Sequence, residues 1–263
     1  MVHSVEGRSS TLSSYHFGSA PGRPVLLIHG FASSTELNWV QAGWLGALEA
    51  DGRRVISIDL PGHGGSEAPT ALDEYTPSRI RAEILQALFD AGVRPLDPAV
   101  PGSGVDIIGY SLGSRLAWEF GAAQPELVHR MVLGGPAAID PLASFDLDAA
   151  ERLISSGEEI ADESTAALMR MALLVPEQNM FALLSLVRAI KTEPFDPAES
   201  VPKMPILLVA GDRDDLATTM PQLAELSAQA GGSAEQLLLP ARSHANAITS
   251  RAFKQSALEF LKA

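Results

Sequence analysis

The chain lacks cysteine: none occurs among its 263 residues. Disulfide bonds, thiolate metal sites and a cysteine nucleophile are therefore excluded. Long apolar runs are missing too, and the run over 205–210 is far shorter than the roughly 20 residues of a membrane-spanning helix. The first 20 residues contain no apolar stretch suited to a signal peptide. We expect a cytoplasmic protein, although a mature secreted chain would look the same.

Basic residues are scarce. Nineteen Lys and Arg stand against 32 Asp and Glu, which gives a net charge of −13 and a pI near 4.8. An acidic surface repels the phosphates of nucleic acids and anionic lipids, so we expect neither nucleic acid nor membrane as a partner. The 46% hydrophobic and 19% charged residues are typical of a globular protein. The length fits one large domain, with or without an insertion.

Short apolar runs alternate with helix-like segments along most of the chain. The pattern predicts strands over 24–28, 54–58, 105–108, 131–133, 205–210 and 236–239. It predicts helices over 36–49, 76–92, 112–122 and 249–261. This alternation is typical of a mostly parallel sheet covered on both faces. Ligands of such sheets bind beyond the carboxyl ends of the strands, so the residues that follow each strand are the candidates for chemistry.

The segment 136–200 interrupts this rhythm. It has no clear strand, and helical runs occur near 146–155, 165–174 and 178–190. Its twelve acids and four bases give it a net charge of −8. The last two helices are apolar nearly all round, which requires burial on more than one side. We predict a core of residues 1–135 and 201–263, with 136–200 as a helical insertion that lines a cavity. A helical subdomain with its own small core is the alternative.

The sharpest motif is Gly-Tyr-Ser-Leu-Gly at 109–113, between a predicted strand and a predicted helix. Such a strand-to-helix turn holds the hydroxyl of Ser111 exposed, and the start of the helix offers free N–H groups. This context favours a nucleophilic serine. A phosphate-binding loop is the rival interpretation of Gly104 and Gly109. It fails because Tyr110 and Ser111 stand where that loop requires Lys followed by Ser or Thr.

A nucleophilic serine needs a base, and the chain has six histidines. His244 follows the predicted strand 236–239, so its imidazole can reach Ser111 from a loop above the sheet. His129 precedes a strand and therefore lies at the wrong end of the sheet. The other four have weaker positions, either before the first predicted strand or in loops that they could stabilise: His3, His16, His29 and His63.

The base needs a carboxylate partner. Three acids follow the predicted strand 205–210, namely Asp212, Asp214 and Asp215. The order serine, acid, histidine along the chain is that of hydrolases with a nucleophile elbow.

An oxyanion would need hydrogen-bond donors. The backbone N–H of Leu112, directly after the serine, is one candidate. Phe31 supplies the other, because Gly30 lets the chain turn sharply after the predicted strand 24–28.

Four sequence elements occur in an order that resembles the α/β-hydrolase family over nearly the whole chain. They are residues 26–31 (LLIHGF), 59–66 (DLPGHGGS), 109–113 (GYSLG), and 211–214 (GDRD) followed by His244. The resemblance implies the α/β-hydrolase fold, a mostly parallel, doubly wound sheet with an inserted helical cap at 136–200. It selects Asp214 as the acid, since the family's acid ends a Gly-x-x-Asp pattern. It also makes 59–66 a structural turn, which argues against His63 as the base.

The resemblance implies a serine hydrolase that works through an acyl-enzyme. Ser111 would be the nucleophile, His244 the base and Asp214 its partner, with Phe31 and Leu112 as oxyanion donors. No cofactor and no metal are expected. Serine at position 111 disfavours the haloalkane dehalogenase and epoxide hydrolase branches, which use a carboxylate there. The absence of Gly-Gly-Gly after His29 disfavours the hormone-sensitive-lipase type.

The predicted substrate is a small or medium apolar carboxylic ester, because the insertion is rich in Leu, Met, Phe and Ala. A carbon–carbon bond hydrolase, lactonase, thioesterase or perhydrolase of the same fold would share these residues. A ligand-binding receptor with slow turnover is the alternative from another class. A metal hydrolase is disfavoured, because Pro61 and Gly62 prevent Asp59 and His63 from forming a helical ligand pair.

Overall fold

The computed structural model describes residues 11–262. A seven-stranded sheet has the order β1-β3-β2-β4-β5-β6-β7. β1 pairs antiparallel with β3, and the strands from β3 across to β7 pair in parallel. The strands are β1 (Ser13–Phe17), β2 (Val25–Ile28), β3 (Val55–Asp59), β4 (Val105–Tyr110), β5 (Val128–Gly134), β6 (Ile206–Gly211) and β7 (Ala234–Leu239). The predicted mostly parallel sheet is confirmed.

Helices cover both faces of the sheet, because alternate strand residues point to opposite sides. The helices are α1 (Trp44–Ala50), α2 (Pro77–Asp90), α3 (Leu112–Ala123), α4 (Leu147–Ser156), α5 (Glu163–Leu173), α6 (Met180–Thr192), α7 (Met220–Gln229), α8 (His244–Ala247) and α9 (Arg251–Lys262). α1 and α9 bury their apolar residues in the core on one face, whereas α2, α3 and α7 bury theirs on the other. The strands β2, β3, β4 and β6 are buried along their whole length, which explains their apolar runs, whereas β7 at the edge of the sheet is partly exposed.

The predicted strands and most of the predicted helices are present, with shifts of a few residues at their ends. Three of these elements were not predicted: the edge strand β1, the helix α7 and the short helix α8, where the sequence indicated a loop. The predicted helix over 36–49 is divided into a π-helical turn (Glu36–Gln41) and α1. The division falls at Gly43, whose φ of +76° lies in the left-handed region and cannot continue a helix.

The segment 136–200 contains α4, α5 and α6 between β5 and β6, with no strand in these residues. α6 buries Leu183, Leu186 and Val187. We expected burial on more than one side of the last two helices, but several of their large apolar residues face solvent: Leu173 is 55% exposed, Leu174, directly after α5, is 82% exposed, and Phe181 is 78% exposed. One face of α6 and the end of α5 therefore present large apolar side chains to solvent.

No helix within residues 11–262 combines the length and the apolar character needed to cross a bilayer. The interpretation of the first ten residues, and the placement of His3 before the sheet, lie outside the described residues.

Candidate active site

Ser111 lies at the sharp turn between β4 and α3. Its φ of 54° and ψ of −117° are strained for a residue with a side chain, a conformation that costs about 1–3 kcal/mol. The strain is tolerated because its N–H donates to the carbonyl of Gly134 at 2.8 Å. The turn is also closely packed, since a Cβ on Gly113 would lie 2.0 Å from the carbonyl oxygen of Ile28. The predicted strand–turn–helix context is therefore present.

His244 begins the short helix α8, just beyond β7. Its Nε2 lies 2.8 Å from Oγ of Ser111, and its Nδ1 lies 2.9 Å from each carboxylate oxygen of Asp214. An N–H at Nδ1 that donates to the carboxylate leaves Nε2 free to accept the serine proton. The hydroxyl of Tyr110 donates to the backbone carbonyl of His244 at 2.5 Å, and this hydrogen bond holds the backbone of His244 in place. The structure thus brings together three side chains that are far apart in the sequence.

Asp214 is the acid of the three that reaches the histidine. It is buried beyond the end of β6, whereas Asp212 and Asp215 are exposed. Oδ1 of Asp214 also accepts the N–H of Leu216 at 3.1 Å, which holds the carboxylate in place. The loop of Asp214 approaches the loop of His244 closely at Gly211. A Cβ on Gly211 would lie 1.9 Å from the backbone carbonyl oxygen of Arg242.

The loop after β2 runs beside Ser111. A Cβ on Gly30 would lie 3.1 Å from Cβ of Ser111, so only a glycine fits this approach without movement. The N–H of Gly30 donates to the side chain of Asn38 at 3.0 Å. Among residues 11–262, the N–H groups of Phe31 and Leu112 donate no hydrogen bond to another protein group. Both of these N–H groups are therefore available to a substrate oxygen.

The rival histidines hold this loop rather than face Ser111. His29 donates to the carbonyl of the next residue at 2.7 Å and accepts the N–H of Leu60 at 2.9 Å. His63 donates to the carbonyl two residues before it at 3.0 Å and accepts the N–H of Ala32 at 3.3 Å. Burial lowers the pKa of both rings, and burial together with the nearby His29 lowers the pKa of His63 to about 3. Both are neutral with both nitrogens occupied.

Asp59 makes 59–66 a structural turn. Its carboxylate accepts the N–H of Thr35 at 2.6 Å, the N–H of Gly65 at 2.8 Å and the hydroxyl of Tyr15 at 2.9 Å. Burial, and next the charge of Asp59, raise the pKa of the Tyr15 hydroxyl to about 12. Asp59 and His63 are thus committed to these contacts, which leaves neither as the metal ligand considered from the sequence.

The remaining described histidines lie away from Ser111. His129, at the start of β5, places Nδ1 2.9 Å from a carboxylate oxygen of Asp106, at the opposite end of the sheet. His16 lies on the edge strand β1, and burial lowers its pKa.

A small cavity lies against Ser111, with about 30 Å³ open to the centre of a water molecule. Its walls include Phe31, Leu168 and Phe195, as the expected apolar site requires. They also include Arg115 and Asp140, which the sequence did not indicate. The wall of the cavity is therefore apolar with one charged pair.

A protein-family model described as the α/β hydrolase fold matches residues 23–204. Epoxide hydrolase 3 of Xenopus tropicalis is 32% identical over 118 residues, which are 43% of this chain and 27% of that protein. The chain thus spans about a quarter of the length of this relative.

Two solved structures resemble the whole chain. A structure from a study of Nitrososphaera gargenis carboxylesterases has a TM-score of 0.75 at 17% identity, covering 100% of this chain and 98% of the other. The enol-lactonase of Burkholderia xenovorans has a TM-score of 0.71 at 20% identity, covering 96% of each. At such identities the likeness is one of fold. Together with the match over 23–204, it shows that the chain belongs to the α/β hydrolase fold family.

Proposed function

We propose that this chain is a cofactor-free serine hydrolase that cleaves carboxylic esters with small or medium apolar acyl groups. The observation that carries the proposal is the hydrogen-bonded series from Ser111 Oγ to His244 Nε2, at 2.8 Å, and from His244 Nδ1 to Asp214, at 2.9 Å. A serine hydroxyl is a weak nucleophile unless a base accepts its proton. These distances lie within the reach required for that transfer.

The proposed reaction has two halves. Oγ of Ser111 attacks the ester carbonyl, His244 takes the hydroxyl proton, and Asp214 stabilises the imidazolium that forms. The N–H groups of Phe31 and Leu112 bind the oxyanion. His244 then returns the proton to the departing alcohol, which leaves an acyl group on Ser111. Water, deprotonated by His244, attacks this acyl group, and the proton returns to Ser111 as the acid product leaves.

Ser111 argues for an ester rather than an epoxide as the substrate, despite the similarity to an epoxide hydrolase. Attack by a serine oxygen on an epoxide carbon would form an ether between Ser111 and the substrate. Water does not cleave an ether near neutral pH, so the enzyme could not be regenerated. Attack on an acyl carbon forms an ester, which water can cleave with the help of His244. The nucleophile therefore favours acyl transfer.

The cavity supports a small apolar acyl group. Leu142, Leu168 and Phe195 line it, and its small size favours a short acyl chain over a long one. The net charge of −8 on residues 136–200 disfavours polyanionic substrates by repulsion.

The test combines a fluorophosphonate probe with turnover of p-nitrophenyl butyrate. We expect labelling at Ser111, and the Ser111→Ala variant is expected to lose labelling and about 10⁴-fold or more in kcat. Ser155→Ala, at an exposed position on α4, is the matched control and should retain both. Labelling of the unmodified chain without turnover of any ester would instead support a ligand-binding receptor. Turnover of a vinylogous diketone alone would replace the ester proposal with carbon–carbon cleavage.

A further inference from the structure

Arg115 occupies an unusual place beside the proposed nucleophile. It lies on α3, four residues after Ser111, and therefore one helical turn along the same face. Its side chain is only 5% exposed, and it lines the same cavity as Ser111 and His244. A buried arginine must have its charge and its N–H groups satisfied, so its partners decide what it does there.

The partners of Arg115 come from both ends of the segment 136–200. Its Nη1 forms a buried ion pair with the carboxylate of Asp140, which precedes α4. Its Nη2 donates to the backbone carbonyl of Glu193, directly after α6, at 2.5 Å. The guanidinium also lies over the ring of Phe195, with 5.3 Å to the ring centroid. One side chain of α3 therefore contacts the chain where it leaves the core and where it returns.

These contacts form part of the cavity wall. Asp140, Leu142 and Phe195 line the cavity together with Arg115. The second oxygen of Asp140 accepts the N–H of Leu142 at 2.9 Å, so the ion pair also fixes the backbone of this wall. Trp118 of α3 also holds the returning end, since its Nε1 donates to the carbonyl of Ser200 at 3.1 Å. Loss of Arg115 would remove the contacts of α3 with Asp140 and Glu193, which lie nearer to the cavity wall, and would widen the space next to Ser111.

The charge of Arg115 is balanced in the folded protein. Glu119 lies 3.4 Å from Nε of Arg115 and also pairs with Arg81 on α2. Arg81 does not contact the segment through Asp140 or Glu193, and it does not line the cavity. Arg81 and Arg115 thus share the carboxylate of Glu119, but of these two arginines only Arg115 also contacts Asp140 and Glu193 in the segment 136–200.

We propose that Arg115 is a positioning residue that clamps both ends of the segment 136–200 to α3 and thereby limits the length of the acyl group that the cavity accepts. The planar guanidinium suits this role, because it binds a carboxylate, a carbonyl and an aromatic ring at once, which a lysine ammonium cannot do. This inference rests on the proposed function for its acyl-length part, but the clamp itself does not depend on catalysis.

The experiment compares Arg115→Met with Arg81→Met. Both variants remove one arginine from Glu119, but only the first releases Asp140 and Glu193. With p-nitrophenyl esters, Arg115→Met should raise the kcat/KM ratio of octanoate to butyrate about tenfold, with most of the change in KM. Arg81→Met should leave the ratio unchanged. Arg115→Lys, which keeps the charge and guards against misfolding, should give an intermediate ratio.

Hydrogen exchange of the same variants tests the clamp without any turnover. The amides of 138–145 and 193–200 should exchange faster in Arg115→Met, and to a lesser degree in Arg115→Lys, than in Arg81→Met. Equal exchange and an equal length ratio in the Arg115 and Arg81 variants would overturn the proposal. If no ester is turned over, the proposed function fails, and the exchange rates alone decide the clamp.

Discussion

The loops at the carboxyl ends of the strands, where Ser111 lies, and the segment 136–200 are held by different kinds of contact. At the strand ends, backbone approaches backbone, and glycines such as Gly113 and Gly211 leave no space for a side chain. The segment is attached instead through side chains, of which Arg115 is the clearest case. The difference teaches that the geometry of the proposed chemistry tolerates little change, whereas the wall of the cavity can change with single substitutions.

The largest effect should come from His244. His244→Ala is expected to lower kcat for an ester by about 10⁴–10⁶-fold, because the serine then has no base. Adding Ser111→Ala should lower it little further, since the two residues act as a unit. His16→Ala, on the edge strand, is the control and should retain activity. If the loss of kcat in the double variant equals the product of the two single losses, Ser111 and His244 do not act as a unit.

A glycine substitution tests the rigid side of the comparison. Gly113→Ala would place a Cβ 2.0 Å from the carbonyl oxygen of Ile28, where only backbone could yield. We expect the free energy of unfolding to fall by about 3 kcal/mol or more. Gly46→Ala is the matched control, because nothing lies within 4 Å of its added Cβ in helix α1. It should stabilise the protein by about 0.5–1 kcal/mol in denaturant titrations.

The sequence predicted the proposed catalytic residues because each follows a predicted strand of the parallel sheet. Ser111, Asp214 and His244 could be placed at one edge of the sheet from the strand pattern alone, and the family resemblance chose Asp214 among three neighbouring acids. The structure adds the distances between them. Local patterns were sufficient here because a parallel sheet places the ends of its strands together.

Other features could not be predicted, for identifiable reasons. The edge strand β1 has a half-buried, mixed pattern that resembles a loop. The break at Gly43 is hidden because the apolar spacing continues through it. Arg115 gave no signal, since its partners Asp140 and Glu193 lie 25 and 78 residues away in the sequence.

Acid should weaken the histidine-supported loop beside Ser111. The pKa of His63 is lowered to about 3 in the folded protein from an ordinary value of 6.5, so between these values only the unfolded chain binds the proton. Its contribution to stability is full above pH 6.5 and is lost as the pH falls, by about 1.4 kcal/mol per pH unit. Buried His29, whose pKa is also lowered, acts in the same direction.

Urea titrations between about pH 5 and pH 8 measure this effect. His63→Gln should have a shallower dependence of unfolding free energy on pH than the unmodified chain, whatever its absolute stability. The difference between the two slopes isolates His63 from the carboxylates that titrate in the same range. Equal slopes would show that this ring is not held neutral.

The smallest effect is expected on the exposed side of the segment 136–200. Leu174 is 82% exposed, so Leu174→Ser should change the unfolding free energy by no more than about 0.5 kcal/mol. Leu186, fully buried on α6, is the matched comparison, and Leu186→Ala should cost about 2–5 kcal/mol. A loss of stability in Leu174→Ser comparable with that of Leu186→Ala would mean that this leucine is covered in solution. The segment would then be held by burial of its outer face as well as by side chains such as Arg115, and the contrast with the strand ends would narrow.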